Sequence, residues 1–276
     1  MRGRFVLISR LLFFCLCALA IVAAARASSA RDGAEDVDTE LVIAVDVSYS
    51  MDREEQQLQR AGYIEAVTSP EFLDALKTGL TGRIAVAYVE WAGSTDQEII
   101  MPWTLIDGPV TARAFANTLT QVPLRRASRT SISGGIDKAA SMFVNNGFNG
   151  KRLIIDVSGD GPNNNGRLVT EARDEAVNKS IIINGLPLVG IRPYNGPMDI
   201  EELDIYYADC VIGGPGSFMI PITSKQKFID ATRTKLVQEI SMPLRPPAPV
   251  IKPANSAEPR ISCSVGEALW HRWRSN

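Results

Sequence analysis

Four short stretches of this sequence are apolar almost without interruption: residues 41–45, 84–89, 153–157 and 181–183. They are rich in β-branched residues and too short for ordinary helices. A strand with one face in water alternates apolar and polar residues, whereas a strand covered on both faces reads as a continuous apolar run. Each run therefore asks for cover on two sides. The connections supply it, because helical spacing recurs between the runs. Leu58, Ala61, Ile64 and Val67 form one stripe, ended by Pro70; Phe115, Leu119 and Val122 form a second; Ile136, Ala140, Phe143 and Val144 form a third. Val169, Ala172, Ala176 and Val177 make a fourth, and Phe228, Thr232, Leu236 and Ile240 mark a long last helix over 225–241. Residues 97–104 read as a further strand, placed at an edge because Pro102 interrupts its hydrogen bonding. Strand and helix alternate, so the predicted fold class is α/β: a doubly wound, mostly parallel, Rossmann-like sheet flanked by helices. The 45% hydrophobic content is sufficient for such a core.

The two ends differ from this body. Arg2, Arg4 and Arg10 precede an uncharged run over 11–25, and Ala25-Arg26-Ala27 has the small-x-small form of a signal-peptidase site, so residues 1–27 are expected to be a cleaved secretory signal, with 28–30 as a second cleavage point. Retention as a membrane anchor is the alternative, but a span normally needs ~20 apolar residues. The expected location is the periplasm or the exterior. Removal of residues 1–27 leaves about 25 basic residues against 31 acidic ones, which gives no reason to expect DNA, RNA or an anionic membrane as partner. Two cysteines remain, Cys210 and Cys263. Either they pair as a disulfide, as an oxidising compartment favours, or they are unrelated thiols. Residues 243–276 form a proline-rich tail whose prolines exclude helix over 243–259; its end, with Trp270, His271 and Trp273, is left as docked or mobile. His271 is expected to be exposed.

The first strand ends in "DVSYSM", delivering Asp46, Ser48 and Ser50 to the carboxyl edge of the sheet, where open α/β sheets bind ligands. Two further segments arrive at that edge. "SRTSISGG" (128–135) offers Thr130, with Ser133 as the expected cap of the third helix, and "IIDVSGDGPNNNG" (154–166) places Asp160 in a Gly-Asp-Gly turn. Two carboxylates and three hydroxyls are hard oxygen ligands suited to Mg²⁺, with Mn²⁺ or Ca²⁺ as alternatives, and no soft ligand is offered that would favour zinc. Asp156, charged inside an apolar strand, must find a partner or lie near the strand end.

On these motifs the chain resembles the von Willebrand factor type A (vWA) domains over residues 38–242. "DVSYSM" matches the first element of that family's metal-ion-dependent adhesion site, Thr130 the second and Asp160 the third. "IDVSGDG" and "VIGGPGSF" are further similar to segments of a family of bacterial exported proteins carrying a single A domain. The resemblance implies that Ser48, Ser50 and Thr130 coordinate a divalent cation directly, and Asp46 and Asp160 partly through water. It also implies that the last coordination position takes an Asp or Glu carboxylate from a protein partner. Gly159 departs from the pattern, which usually has a hydroxyl residue there, and Tyr49 puts a ring where glycine is common. Loops 90–97 and 161–167 lie near the same edge and either add specificity or merely connect.

The expectation is therefore a metal-bridged interaction module and not an enzyme. The alternatives are an envelope scaffold whose metal site does not function, and a metal-dependent hydrolase or phosphatase with Asp46 as nucleophile. Against the last, Ser48 stands where Asp-x-Asp phosphatases carry their second carboxylate. A Ser-His-Asp hydrolase has only His271 to use, beyond the proline-rich segment. A nucleotide site lacks its loop, since "GGPGSF" (213–218) has no following Lys-Ser/Thr.

Overall fold

A computed structural model of the chain describes residues 33–190, 196, 198–241 and 260–275. The expected signal peptide and the proline-rich residues 243–259 lie outside the described residues. Five strands, β1 (Glu35–Asp46), β2 (Ile84–Trp91), β3 (Gln97–Ile106), β4 (Phe148–Gly159) and β5 (Ile181–Pro187), form one sheet in the order β3-β2-β1-β4-β5. All pairings are parallel except β2 with β3. The edge position of β3 explains how Pro102 is tolerated. The register slips around Val86 to Tyr88, opposite Met101 and Thr104, so the proline falls in the irregularity and no ladder bond needs its missing N–H.

The runs that lack alternation are buried on both faces, as their composition requires. On one side Leu41, Ile43 and Val45 of β1 meet Tyr63, Phe72, Phe115, Phe228 and Leu236. These come from α1 (Arg53–Thr68), α2 (Pro70–Leu76), α3 (Pro109–Gln121) and α7 (Phe228–Ile240). On the other, Val42 and Ala44 meet Ile132, Ile136, Val169 and Tyr206, carried by α4 (Ile132–Met142), α5 (Val169–Asn178) and α6 (Leu203–Tyr206), which continues as a π-helical turn over Tyr207–Val211. Neighbouring residues of one strand thus supply opposite cores.

Several local expectations are corrected. Pro70 does end α1, but it also starts α2 at the first helical position, where a missing N–H costs nothing and Ser69 caps. Ser133 is not the cap of the third helix: the Ser131 side chain accepts from the Gly134 N–H, which leaves Ser133 inside the first turn. Val144 lies past the end of α4 and is exposed, so the stripe closes one residue early. Of the two courses left open for the end of the chain, docking is the one observed: α8 (Val265–Ser275) is tied to the domain by the Cys210–Cys263 disulfide. His271 is exposed on it.

Asp156 has its partner. Lys235 of α7, fully buried, donates to Asp156 and to Glu239 one turn further along its own helix. Tyr63 Oη donates to Asp156 at 3.2 Å, and Asn184 Nδ2 to Glu239 at 3.0 Å. One ammonium is shared by two carboxylates in a core without water contact. Burial and the negative charge of Asp156 push the Glu239 carboxyl up to about 7.

Candidate metal centre

The chain runs outward from β1 to β2 and β3, then crosses back to β4 on the other side of β1. The β1/β4 boundary is therefore the point where the winding reverses, and the loops leaving these two strands diverge to open a crevice. Val45 lies opposite Ser158, so the residues that follow, Asp46 and Gly159, leave the sheet side by side.

Around this point the side chains converge. The Ser48 N–H donates to Asp46 Oδ1 at 2.7 Å, which curls the loop back on its own aspartate. Ser48 Oγ and Ser50 Oγ are 2.7 Å apart, and Ser50 Oγ donates to Asp160 Oδ1 at 2.6 Å. Asp46, Ser48, Ser50 and Asp160 are thus joined in one chain of contacts from two loops. Thr130 is buried in a third loop; its N–H donates to Asn164 Oδ1 at 3.0 Å and its carbonyl accepts from the Asn164 N–H at 2.8 Å. That third loop also pairs with the first, through the Ala127 N–H to the Val47 carbonyl.

The electrostatics favour a cation. Asp46 is fully buried, and burial first, then the charge of Asp160, push its carboxyl well above the usual range. Its Oδ2 has no hydrogen-bond partner. A buried carboxylate oxygen with nothing to accept, beside a second carboxylate and two hydroxyls, is a donor set that suits a hard divalent ion. Among the described residues no group of three His, Cys, Asp or Glu side chains could hold a metal, so a site here draws on other oxygen donors, among which the serine hydroxyls are at hand.

Two features were not anticipated from sequence. The first is Tyr207, in the π-helical turn. A side chain at position 159 would put its Cβ 2.9 Å from Asp46 Oδ2 and 3.1 Å from Tyr207 Oη. The phenol thus crowds the space that a hydroxyl residue before Asp160 would need, which accounts for Gly159. The second is the asparagine triplet after Asp160. Asn163 Oδ1 accepts from the Ser133 N–H, Asn164 Oδ1 from Thr130, and Asn165 Oδ1 from the Ser94 N–H in the β2–β3 loop at 2.8 Å. Three consecutive amides staple two neighbouring backbone segments, 130–133 and the β2–β3 loop at Ser94, to the Asp160 loop. Three asparagines in a row after Asp-Gly were the available signal, because amides accept from stray N–H groups where apolar residues cannot.

The family model described as "Protein of unknown function (DUF1194)" matches residues 36–244. The chain belongs to this family. No curated protein matches it. In fold this chain is vWA-like. The structure is similar to proximal thread matrix protein 1 from the mussel byssus, at 14% identity and a TM-score of 0.53 over 74% of this chain and 47% of that one. A second structure of the mussel protein, with its metal-ion-dependent adhesion site motif occupied by zinc, gives 14% identity and a TM-score of 0.52 over 76% and 47%. The pilus adhesin SpaC from Lactobacillus rhamnosus GG gives 12% and 0.52 over 75% of this chain and 31% of the adhesin. The DUF1194 chain therefore spans about half the length of the mussel protein, and less of the adhesin. At such identities the likeness is one of fold.

Proposed function

We propose that this DUF1194 protein is an exported interaction module that binds a divalent cation, Mg²⁺ with Mn²⁺ or Ca²⁺ as alternatives, through Asp46, Ser48, Ser50, Thr130 and Asp160. The ion's remaining coordination position takes an Asp or Glu carboxylate of a protein partner. The observation that carries this reading is the buried Asp46 Oδ2 without a partner, set against Asp160 and two serine hydroxyls. Bound there, the cation supplies the positive charge that both carboxylates lack and a Lewis-acid position for one more anionic oxygen.

The chain's own residues do the rest. Asp46 and Asp160 balance the ion's charge, and the three neutral hydroxyls add none, which would leave one coordination position for an acidic side chain outside. The asparagine triplet fixes Thr130 relative to Asp160. Binding rather than catalysis is supported by the surroundings, since the one histidine is exposed on α8 and Cys210 and Cys263 are bonded to one another. That disulfide, together with the signal-like residues 1–27, supports export; no described helix is long and apolar enough to cross a membrane.

Calorimetric titration of Mg²⁺ and Mn²⁺ tests the reading. One-site binding is expected in the wild type and none in Asp46→Ala or Asp160→Ala. Absence of binding in the wild type, even with an acidic peptide present, refutes it.

A further inference from the structure

The family match stops at residue 244, yet the chain returns to the carboxyl edge of the sheet at 260–275. Its anchors are specific. Cys263 is bonded to Cys210 of the π-helical turn, and Arg260 forks onto Asp209, with its guanidinium at 2.8 and 3.2 Å and its own N–H at 2.7 Å. Asn163 Nδ2 donates to Glu267 at 2.8 Å. At Gly266 an added Cβ would lie 2.0 Å from the Asn163 carbonyl oxygen, so α8 rests its backbone directly on the Asp160 loop.

From this seat α8 presents its tryptophans next to the candidate metal loops. The Arg129 guanidinium lies over the Trp270 ring, 3.4 Å from its centre, and Trp273 lies tilted against Trp270, ring centres 5.0 Å apart, with half its surface exposed. Arg129 immediately precedes Thr130 and has φ of 76°, a left-handed conformation that a residue with a side chain adopts only under constraint. The first metal loop adds a second pair: Tyr49, 62% exposed, carries the Arg126 guanidinium 5.4 Å from its ring centre, and Arg126 also donates to the Tyr49 carbonyl at 2.6 Å. Arg126 and Arg129 make no ion pair among the described residues. Two guanidiniums without an ion pair among the described residues thus border one spot on a chain whose acidic residues outnumber its basic ones.

We propose that α8 is a built-in wall of the partner-binding face, and that Arg129 on Trp270 and Arg126 on Tyr49 form a rim that recognises an acidic polypeptide segment. The central contact rests on the metal reading above; the rim does not. Stacking occupies the face of a guanidinium and leaves in-plane N–H groups, on Arg126 those not given to the Tyr49 carbonyl, for carboxylates flanking the one at the ion. Exposed Trp, Tyr and Arg around a desolvated centre are also the residue types that dominate protein interfaces. An anionic lipid surface is the lesser fit, because Gly266 and Glu267 are committed to the Asp160 loop and Trp270 to Arg129, which leaves α8 without the continuous apolar face that interfacial helices bury.

The test uses the chain expressed in full, with a fluorescent 20-residue poly-L-glutamate as probe, followed by anisotropy in Mg²⁺ and in EDTA. Vesicles of phosphatidylglycerol and phosphatidylcholine serve as the competing surface. Wild type is expected to bind the peptide, and Arg129→Ala and Trp270→Ala each to bind about tenfold more weakly. Arg129→Lys, which keeps the charge but loses the fork, falls between. Circular dichroism confirms folding, and Arg126→Ala provides a second probe of the rim should Arg129→Ala not fold. If EDTA and Asp46→Ala abolish binding while the rim variants bind as wild type does, the rim is wrong and the metal reading survives. If the rim variants lose binding while EDTA changes nothing, the rim is supported and the metal reading fails. Binding to vesicles alone, or to neither probe, overturns the proposal.

Discussion

Replacing Glu239 by Gln isolates one charge in the core. In the folded protein Lys235 is shared between Asp156 and Glu239, all three side chains being buried, and the Glu239 carboxyl is held up to about 7 from its ordinary 4.5. A carboxyl whose folded value is raised binds its proton more tightly in the folded state, so it contributes stability below about 4.5 that is lost as pH rises to about 7. At ~1.4 kcal/mol per unit, the loss is on the order of 3 kcal/mol. For a domain of this size that corresponds to roughly 6–12 °C in melting temperature. Glutamine keeps the oxygen that accepts from Lys235 and Asn184 and cannot ionise. Thermal unfolding by circular dichroism at pH 5 and pH 8, in EDTA, is the assay. Comparison with the variant cancels other titrations, Asp46 among them. Wild type and Glu239→Gln should melt close together at pH 5, and the variant should melt several degrees higher at pH 8. Equal melting temperatures at both pH values would show that Glu239 is ionised throughout, held by Lys235 together with the nearby Arg152 guanidinium.

Three further outcomes are expected. Gly159→Ser should abolish the calorimetric response to Mg²⁺ and destabilise by ~1–3 kcal/mol, because its Cβ meets Asp46 and Tyr207, and adding Tyr207→Phe should recover part of the stability. Asp46→Asn should raise the melting temperature in EDTA, since it removes a carboxylate that burial and Asp160 both disfavour, and Mg²⁺ should reverse the ranking by stabilising only the wild type; a variant less stable in EDTA would contradict this. Cys263→Ser opens a 53-residue separation and should cost about 4 kcal/mol on loop-closure entropy, with α8 becoming the first site of limited proteolysis.

The sheet was legible because burial on both faces leaves a direct mark: a strand such as 41–45 has no polar residue to place. The edge of the sheet was legible as well, since "DVSYSM" and "SGDG" follow such strands. What escaped was whatever depends on a partner distant in sequence. Asp156 announced that it needed one, but Lys235 sits in an ordinary amphipathic helix where a lysine reads as solvated. Tyr207 belongs to a π-helical turn with no periodic signature. The cap at Ser131 and not Ser133 is a choice between hydroxyls two residues apart, settled by Ser133 giving its N–H to Asn163. The docking of α8 hangs on a disulfide that two cysteines permit but do not require.

The direction of β1 has a consequence for how the molecule can be displayed. Its 12 residues run from Glu35 at one rim of the sheet to Asp46 at the other, a distance of roughly 36 Å. Whatever is joined upstream of Glu35 therefore attaches at the pole opposite the metal loops. A tether at that end holds Asp46, Tyr49 and α8 outward, the way a stalk holds its head toward an approaching ligand, whereas a tag fused after Ser275 would stand beside the rim itself.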